Sequence, residues 1–335
     1  MSTFRTEWSP RKPLERELKF SDTTVTTGSC FADRFGNWMY DNKFSVLQNP
    51  FGVSYNPVSI HHQLMLALGG ERLRPNHVVT REGTFVHLDF HSDFRHTDEV
   101  SLVEQIKTTT ENTGRFLNSA SWLMITYGTA WVFDYLPTGC TINNCHKLPA
   151  KEFQKRLLAV DEIVASFERL RQQIIALRPE VHLLLTVSPV RHVKDTLEGN
   201  SVSKAVLRLA VDNIQRKFPD VVYFPAFEIM MDDLRDYRFY KDDMIHPNTL
   251  AENYLWEKFE HQFLANTTRM QIEEWQSIKK ALAHTPFEPT SAHHQRFLEA
   301  LLVRLKNIAV ALPVAAEVEA VERKLEALKN RSTKS

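Results

Sequence analysis

The run Val181-His182-Leu183-Leu184-Leu185-Thr186-Val187 constrains this chain more than any other segment. A strand with one wet face alternates apolar and polar residues. A strand buried on both faces reads as one continuous apolar run, and such strands belong to parallel sheets covered by helices. Trp122-Leu123-Met124-Ile125-Thr126-Tyr127 reads the same way. Further strands are predicted at 23–27, 44–47 and 221–224, and helices at 33–39, 59–68, 101–117, 151–176, 201–218, 226–234 and 248–263. Strands alternating with helices imply an α/β fold with a mostly parallel sheet and helices on both faces. Residues 71–100 carry short strand-like pieces and read as an insertion. From Arg269 onward the pattern is helical only, over 271–284, 292–311 and 315–329, with prolines between. The expected division is an α/β unit at 15–265 and a helical extension at 266–335. That extension either packs on the main unit or joins two copies into a homo-oligomer.

Composition removes several classes of function. With 41 basic and 41 acidic residues there is no electrostatic footprint for nucleic acid. No apolar run approaches the length of a membrane span, and the first residues lack the apolar core of a signal peptide. Three cysteines (30, 140 and 145) are too few and odd in number for a disulfide framework. A cytoplasmic protein with free thiols is expected, with no nucleic-acid or membrane partner.

In an α/β sheet, ligands bind beyond the carboxyl ends of the strands. Five unusual loops follow predicted strands: 28–32, 49–57, the stretch from Gly128, 188–200 and 238–248. The first, Gly28-Ser29-Cys30-Phe31-Ala32, puts two nucleophile candidates on a strand-to-helix turn, where a helix N-terminus stabilises negative charge. A serine needs an adjacent base. A cysteine is intrinsically more nucleophilic, yet free cysteines are often inert core residues. The last loop carries Asp243-Met244-Ile245-His246-Pro247-Asn248. There His246 is the candidate base, with Asp243 to fix its tautomer.

Other groups have competing readings. Cys140, Cys145 and His146 offer three metal ligands at poor spacing with no fourth nearby, so no metal is expected. His87, His91 and His96 lie among phenylalanines that suggest a half-buried loop. Arg191 either holds an anionic substrate or orders its loop. The aromatic stretch 236–240 reads as core packing or as a substrate wall.

Taken together, these blocks resemble the GSCFA family, named for the stretch at 28–32. Further matching blocks are Asn49-Pro50-Phe51-Gly52, Tyr127-Gly128-Thr129-Ala130, Asn144-Cys145-His146-Lys147, Thr186 to His192, Ser203-Lys204-Ala205 and Leu234 to Tyr240. That family is similar to the SGNH (GDSL-like) hydrolases. The resemblance implies a flavodoxin-like three-layer α/β/α fold and cofactor-free cleavage of carboxylic esters, often acetyl groups on carbohydrates. Laid over the Gly-Asp-Ser-Leu motif, Cys30 takes the nucleophile position and Ser29 that of the aspartate. Asp243 and His246 match the Asp-x-x-His block, and Gly52 matches a glycine whose amide binds the oxyanion. One departure stands out: the asparagine that should follow the glycine at 128 is absent. Thr129 or Asn144 is the expected substitute.

The expected activity is an esterase on O-acyl, carbohydrate-type substrates, or an O-acyltransferase using the same site. The rival is a non-catalytic glycan-binding module built on Trp131, Phe133, Tyr237 and Tyr240. The hydrolase reading requires Cys30 Sγ or Ser29 Oγ within about 4 Å of His246.

Overall fold

In a computed structural model of the protein, residues 6–9 and 16–332 are described. Residues 1–5, part of the stretch expected to lack a signal peptide, lie outside the described residues, as do the outer limits of the two expected units, 15 and 335. Five parallel strands form the central sheet: Thr23–Gly28, Ser45–Gln48, Trp122–Tyr127, His182–Val187 and Val222–Phe224. Counted in chain order, they lie second, first, third, fourth, fifth across the sheet. This is the flavodoxin-like order, whose switch point falls between the first and third strands. The crevice therefore opens where Thr23–Gly28 and Trp122–Tyr127 end.

Residues along a strand face opposite sides in turn, and here both sides are covered. Leu123, Ile125, Leu183, Leu185 and Val187 join one core with Ile60, Phe167, Leu207 and Val211. Their neighbours Trp122, Met124 and Leu184 join the other, with Phe31, Phe35, Trp256 and Phe259. Helices Pro57–Ala67, Val160–Leu177 and Thr196–Lys217 cover the first face; Cys30–Asp41 and Thr249–Phe263 cover the second. The three layers are those expected. The unbroken apolar runs follow from this double burial.

The insertion forms an antiparallel sheet of Val78–Arg81, Thr84–His87 and Arg95–His96. The helix expected at 151–176 is corrected. Phe153–Leu157 is a strand, and the helix begins only at Val160. That strand pairs with Trp131–Tyr135, which also pairs with Cys140–Ile142. Phe153 packs on the Tyr135 ring at 5.6 Å, and Arg156 binds Asp134 and Glu162. Cross-strand partners about 20 residues away decide this segment, and local periodicity does not register them. The expected helix at 226–234 is one α-turn, Ala226–Glu228, followed by a π-turn, Ile229–Asp233.

Helices Asn266–Ala283, Ala292–Ile308 and Ala315–Ser332 bury their own cluster, including Trp275, Leu298, Leu305 and Val321. They attach where helix Cys30–Asp41 ends. Trp275 Nε1 donates to the Asp41 carbonyl at 2.7 Å, and Lys43 pairs with Glu317 at 2.6 Å. A rise of about 1.5 Å per residue puts roughly 16 Å of helix between that contact and Cys30. No helix among the described residues is long and apolar enough to cross a membrane.

Candidate active site

The first strand ends in a turn that only glycine permits. Gly28 has φ +132°, and a Cβ there would lie 2.1 Å from the Thr126 carbonyl oxygen. Ser29 follows as the N-cap of helix Cys30–Asp41, its buried hydroxyl accepting the Phe31 amide at 3.3 Å. Cys30, half-buried, opens the helix. Its Sγ lies 3.6 Å from His246 Nε2. Of the two nucleophile candidates, Cys30 meets the base, while Ser29 turns inward to cap the helix. Asn49 pins the turn: its Oδ1 accepts the Gly28 amide at 2.8 Å and its Nδ2 donates to Asp33 at 2.5 Å.

His246 is aimed by its own loop. Asp243 Oδ2 lies 2.7 Å from His246 Nδ1, while Oδ1 accepts the amides of Ile245 (2.8 Å) and His246 (2.9 Å). The His246 amide, the Ile245 amide and then the imidazole hold the Asp243 carboxyl well below the usual range. It stays ionised wherever the histidine can work as a base. Arg191 ties this loop down. Its amide donates to the Ile245 carbonyl at 3.4 Å, its guanidinium donates to the Met244 carbonyl, and it stacks on Tyr240 at 4.6 Å. Of the two roles expected for Arg191, the contacts are those of the loop-ordering one. Beside it opens a cavity of about 240 Å³, lined by Met230, Arg235, Asp236, Tyr237 and Tyr240 among others. Tyr237 is 65% exposed on that cavity, while Phe239 and Tyr240 are half-buried against Met230, Leu234 and Ala251, so the stretch is part wall and part core.

Burial, then the charge of Asp33, push the Cys30 thiol up; its own amide and Lys204 oppose this. The thiol is therefore protonated at neutral pH. Attack requires a base to remove the proton as the new bond forms, and His246 Nε2 is in reach.

The expected oxyanion groups need correction. The Gly52 amide is spent inside its own turn, donating to the Asn49 carbonyl at 2.8 Å. The amides of Gly128 and Thr129 both donate to the Tyr55 carbonyl, at 2.8 and 3.0 Å. The Thr129 hydroxyl pairs with Ser203 at 2.9 Å, and the Asn144 Oδ1 accepts the His146 amide at 2.9 Å. For Gly52, Gly128 and Thr129 the folded chain supplies a nearer partner that is invisible in sequence, whereas the Asn144 contact occupies its acceptor oxygen and not its donor Nδ2. Asn143, not Asn144, reaches toward the nucleophile turn: it accepts Ser54 Oγ at 2.5 Å, and the Ser54 amide donates to Gly28.

Sequence reasoning missed Lys204. Its ammonium, buried beneath the rim, donates to the carbonyls of Gly128 (2.8 Å) and Ser188 (2.7 Å). It thereby clamps the ends of the two central strands. Burial pulls its pKa down to about 7, opposed by the Cys30 charge. The signal was available: Ser203, Lys204, Leu207 and Val211 form one buried helical stripe, where a lysine is out of place.

The alternative metal ligands have other partners. His146 Nε2 pairs with the His87 carbonyl at 3.0 Å, Cys140 Sγ with the Thr138 carbonyl at 3.6 Å, and His87 Nε2 with the Arg74 carbonyl at 3.1 Å. Among the described residues, no cluster of His, Cys, Asp or Glu is placed to hold a metal ion.

Comparison with known proteins gives no match among curated proteins. Among solved structures, a carbohydrate esterase family 3 protein from Talaromyces cellulolyticus is similar over 47% of this chain, at 11% identity and a TM-score of 0.25. The chain spans 60% of that structure's length. The family model described as GSCFA family matches residues 23–259. A second, described as GSCFA domain protein, C-terminal domain, matches residues 275–327. The first match takes in the parallel sheet, the turn at Cys30 and the loop of His246, and the chain belongs to the GSCFA family.

Proposed function

We propose that this protein is a cofactor-free esterase that removes O-acyl groups from carbohydrate-type substrates through a thioester on Cys30. The observation that carries the reading is the line Cys30 Sγ, His246 Nε2 at 3.6 Å, then His246 Nδ1 to Asp243 Oδ2 at 2.7 Å. This is the arrangement of nucleophile, base and orienting carboxylate that acyl transfer needs. His246 takes the Cys30 proton as sulfur attacks the acyl carbon, and Asp243 stabilises the imidazolium. The Cys30 amide, at the first position of its helix, has no intrahelical acceptor and is free to donate to the oxyanion. His246 then protonates the leaving alcohol, and water, deprotonated by the same histidine, resolves the thioester. The carbohydrate class rests on the likeness to SGNH hydrolases. It is supported by the exposed ring of Tyr237 beside the His246 loop, a face on which a sugar can lie.

Acetate release from p-nitrophenyl acetate and from acetylated sugars tests this reading. Wild-type protein is expected to release acetate from both, and the Cys30→Ala variant from neither. Acetyl transfer to an added free sugar, without acetate release, makes the same site an O-acyltransferase. Turnover by Cys30→Ala at the wild-type rate contradicts both.

A further inference from the structure

The Gly52 amide and the Thr129 hydroxyl are committed elsewhere, and the asparagine expected after Gly128 is absent. Building on the Cys30–His246 reading, we propose that His192 is the side-chain donor to the oxyanion, through its Nε2–H, in place of the missing asparagine.

His192 Nε2 is buried and has no hydrogen-bond partner among the described residues. An unpaired buried polar nitrogen costs stability, and such groups point to function. It lies at the nucleophile turn: a Cβ built on Gly128 would sit 3.2 Å from His192 Nε2 and 3.2 Å from Ser29 Cβ. Glycine at 128 thus keeps clear the space between this nitrogen and the turn that carries Cys30. The ring is fixed in place. Its residue's amide donates to Asn200 Oδ1 at 2.8 Å, and its face meets the Tyr55 ring edge-on at 5.2 Å. Burial, then the nearby Lys204 charge, hold its pKa down to about 4, with Asp195 opposing. The ring is neutral at working pH, so it donates a hydrogen bond without competing with His246 for the proton. In the step itself, the Cys30 proton passes to His246 as the sulfur–carbon bond forms. The carbonyl π pair moves onto oxygen, where His192 donates a hydrogen bond and keeps its proton. Collapse returns the pair and breaks the bond to the alkoxide, which takes the proton from His246.

Two reactions of the same thiol separate this role from others. Acetylation by p-nitrophenyl acetate passes through an oxyanion, whereas alkylation by iodoacetamide displaces iodide and does not. Both are followed on Cys30 by mass spectrometry. In His192→Ala, acetylation is expected to slow by about 10²–10³, the loss seen when one oxyanion donor is removed, with alkylation unchanged. His192→Gln, which restores an N–H donor, is expected to recover part of the loss. His192→Phe, which keeps a ring against Tyr55 without a donor, gives the same reading if the alanine variant does not fold. Equal slowing of both reactions, or of neither, overturns the proposal and leaves Cys30 as nucleophile. Wild-type protein that is alkylated but never acetylated at Cys30 overturns the nucleophile reading and this proposal with it.

Discussion

His246→Ala and Cys30→Ala are each expected to lower kcat/KM for ester cleavage by about 10⁴-fold or more, because members of such a unit fail together. The double variant should be no worse than either single one. Ser29→Ala is expected to retain turnover and to lose about 1 kcal/mol of stability, as an N-cap substitution does. The contrast follows from geometry at adjacent residues. Cys30 Sγ faces the imidazole, whereas Ser29 Oγ accepts the Phe31 amide and is buried. Initial rates and urea midpoints on the three variants decide it; loss of turnover in Ser29→Ala alone reverses the assignment.

The second large effect lies in the insertion. Asp89→Ala is expected to cost about 3–5 kcal/mol, the range for removing one partner from a buried ionic cluster. Asp89 is 2% exposed, with His77 Nδ1 at 2.8 Å, His62 Nε2 at 3.3 Å and Arg74 at 3.3 Å. Its removal strands three groups that face it. Against the effect of burial, the His62 and His77 imidazoles beside it hold the Asp89 carboxyl well below the usual range. Its contribution is therefore full above about pH 4 and is lost only as pH falls far below that. His62 shifts the other way: burial lowers its pKa, but Asp89 and Glu71 together raise it above 6.5. The His62 contribution is full below about pH 6.5 and fades as pH rises through the raised value. Wild-type urea midpoints should thus fall between pH 5 and pH 8 through His62, and Asp89→Ala should flatten that slope; a variant within about 1 kcal/mol of wild type contradicts this account. Activity should fall too, since the Asn143 amide rests on the Leu88 carbonyl and Asn143 holds Ser54 against Gly28.

Features set by burial on two faces, or by a turn's own residues, are legible in this sequence. The apolar runs at 122–127 and 181–187 announce a covered parallel sheet because neither has a wet face to mark with polar residues. Gly28 beside Cys30, and Asp243 three residues before His246, are local patterns whose chemistry survives in one dimension. What depends on distant partners is hidden. Phe153–Leu157 has helical spacing but pairs with Trp131–Tyr135, and the amides of Gly52, Gly128 and Thr129 are claimed by carbonyls that only the folded backbone brings near. Lys204 and His192 sit in quoted motifs, yet their importance comes from burial beneath the rim.

The central claim is that Cys30 carries the acyl group and His246 makes it able to do so. Mass spectrometry after a short pulse of p-nitrophenyl acetate tests it most directly. An acetyl adduct that decays with turnover is expected on the Cys30 peptide of wild-type protein, and none on that peptide in His246→Ala. An adduct forming on Cys30 at the same rate without His246, or turnover with no adduct at Cys30, would contradict it.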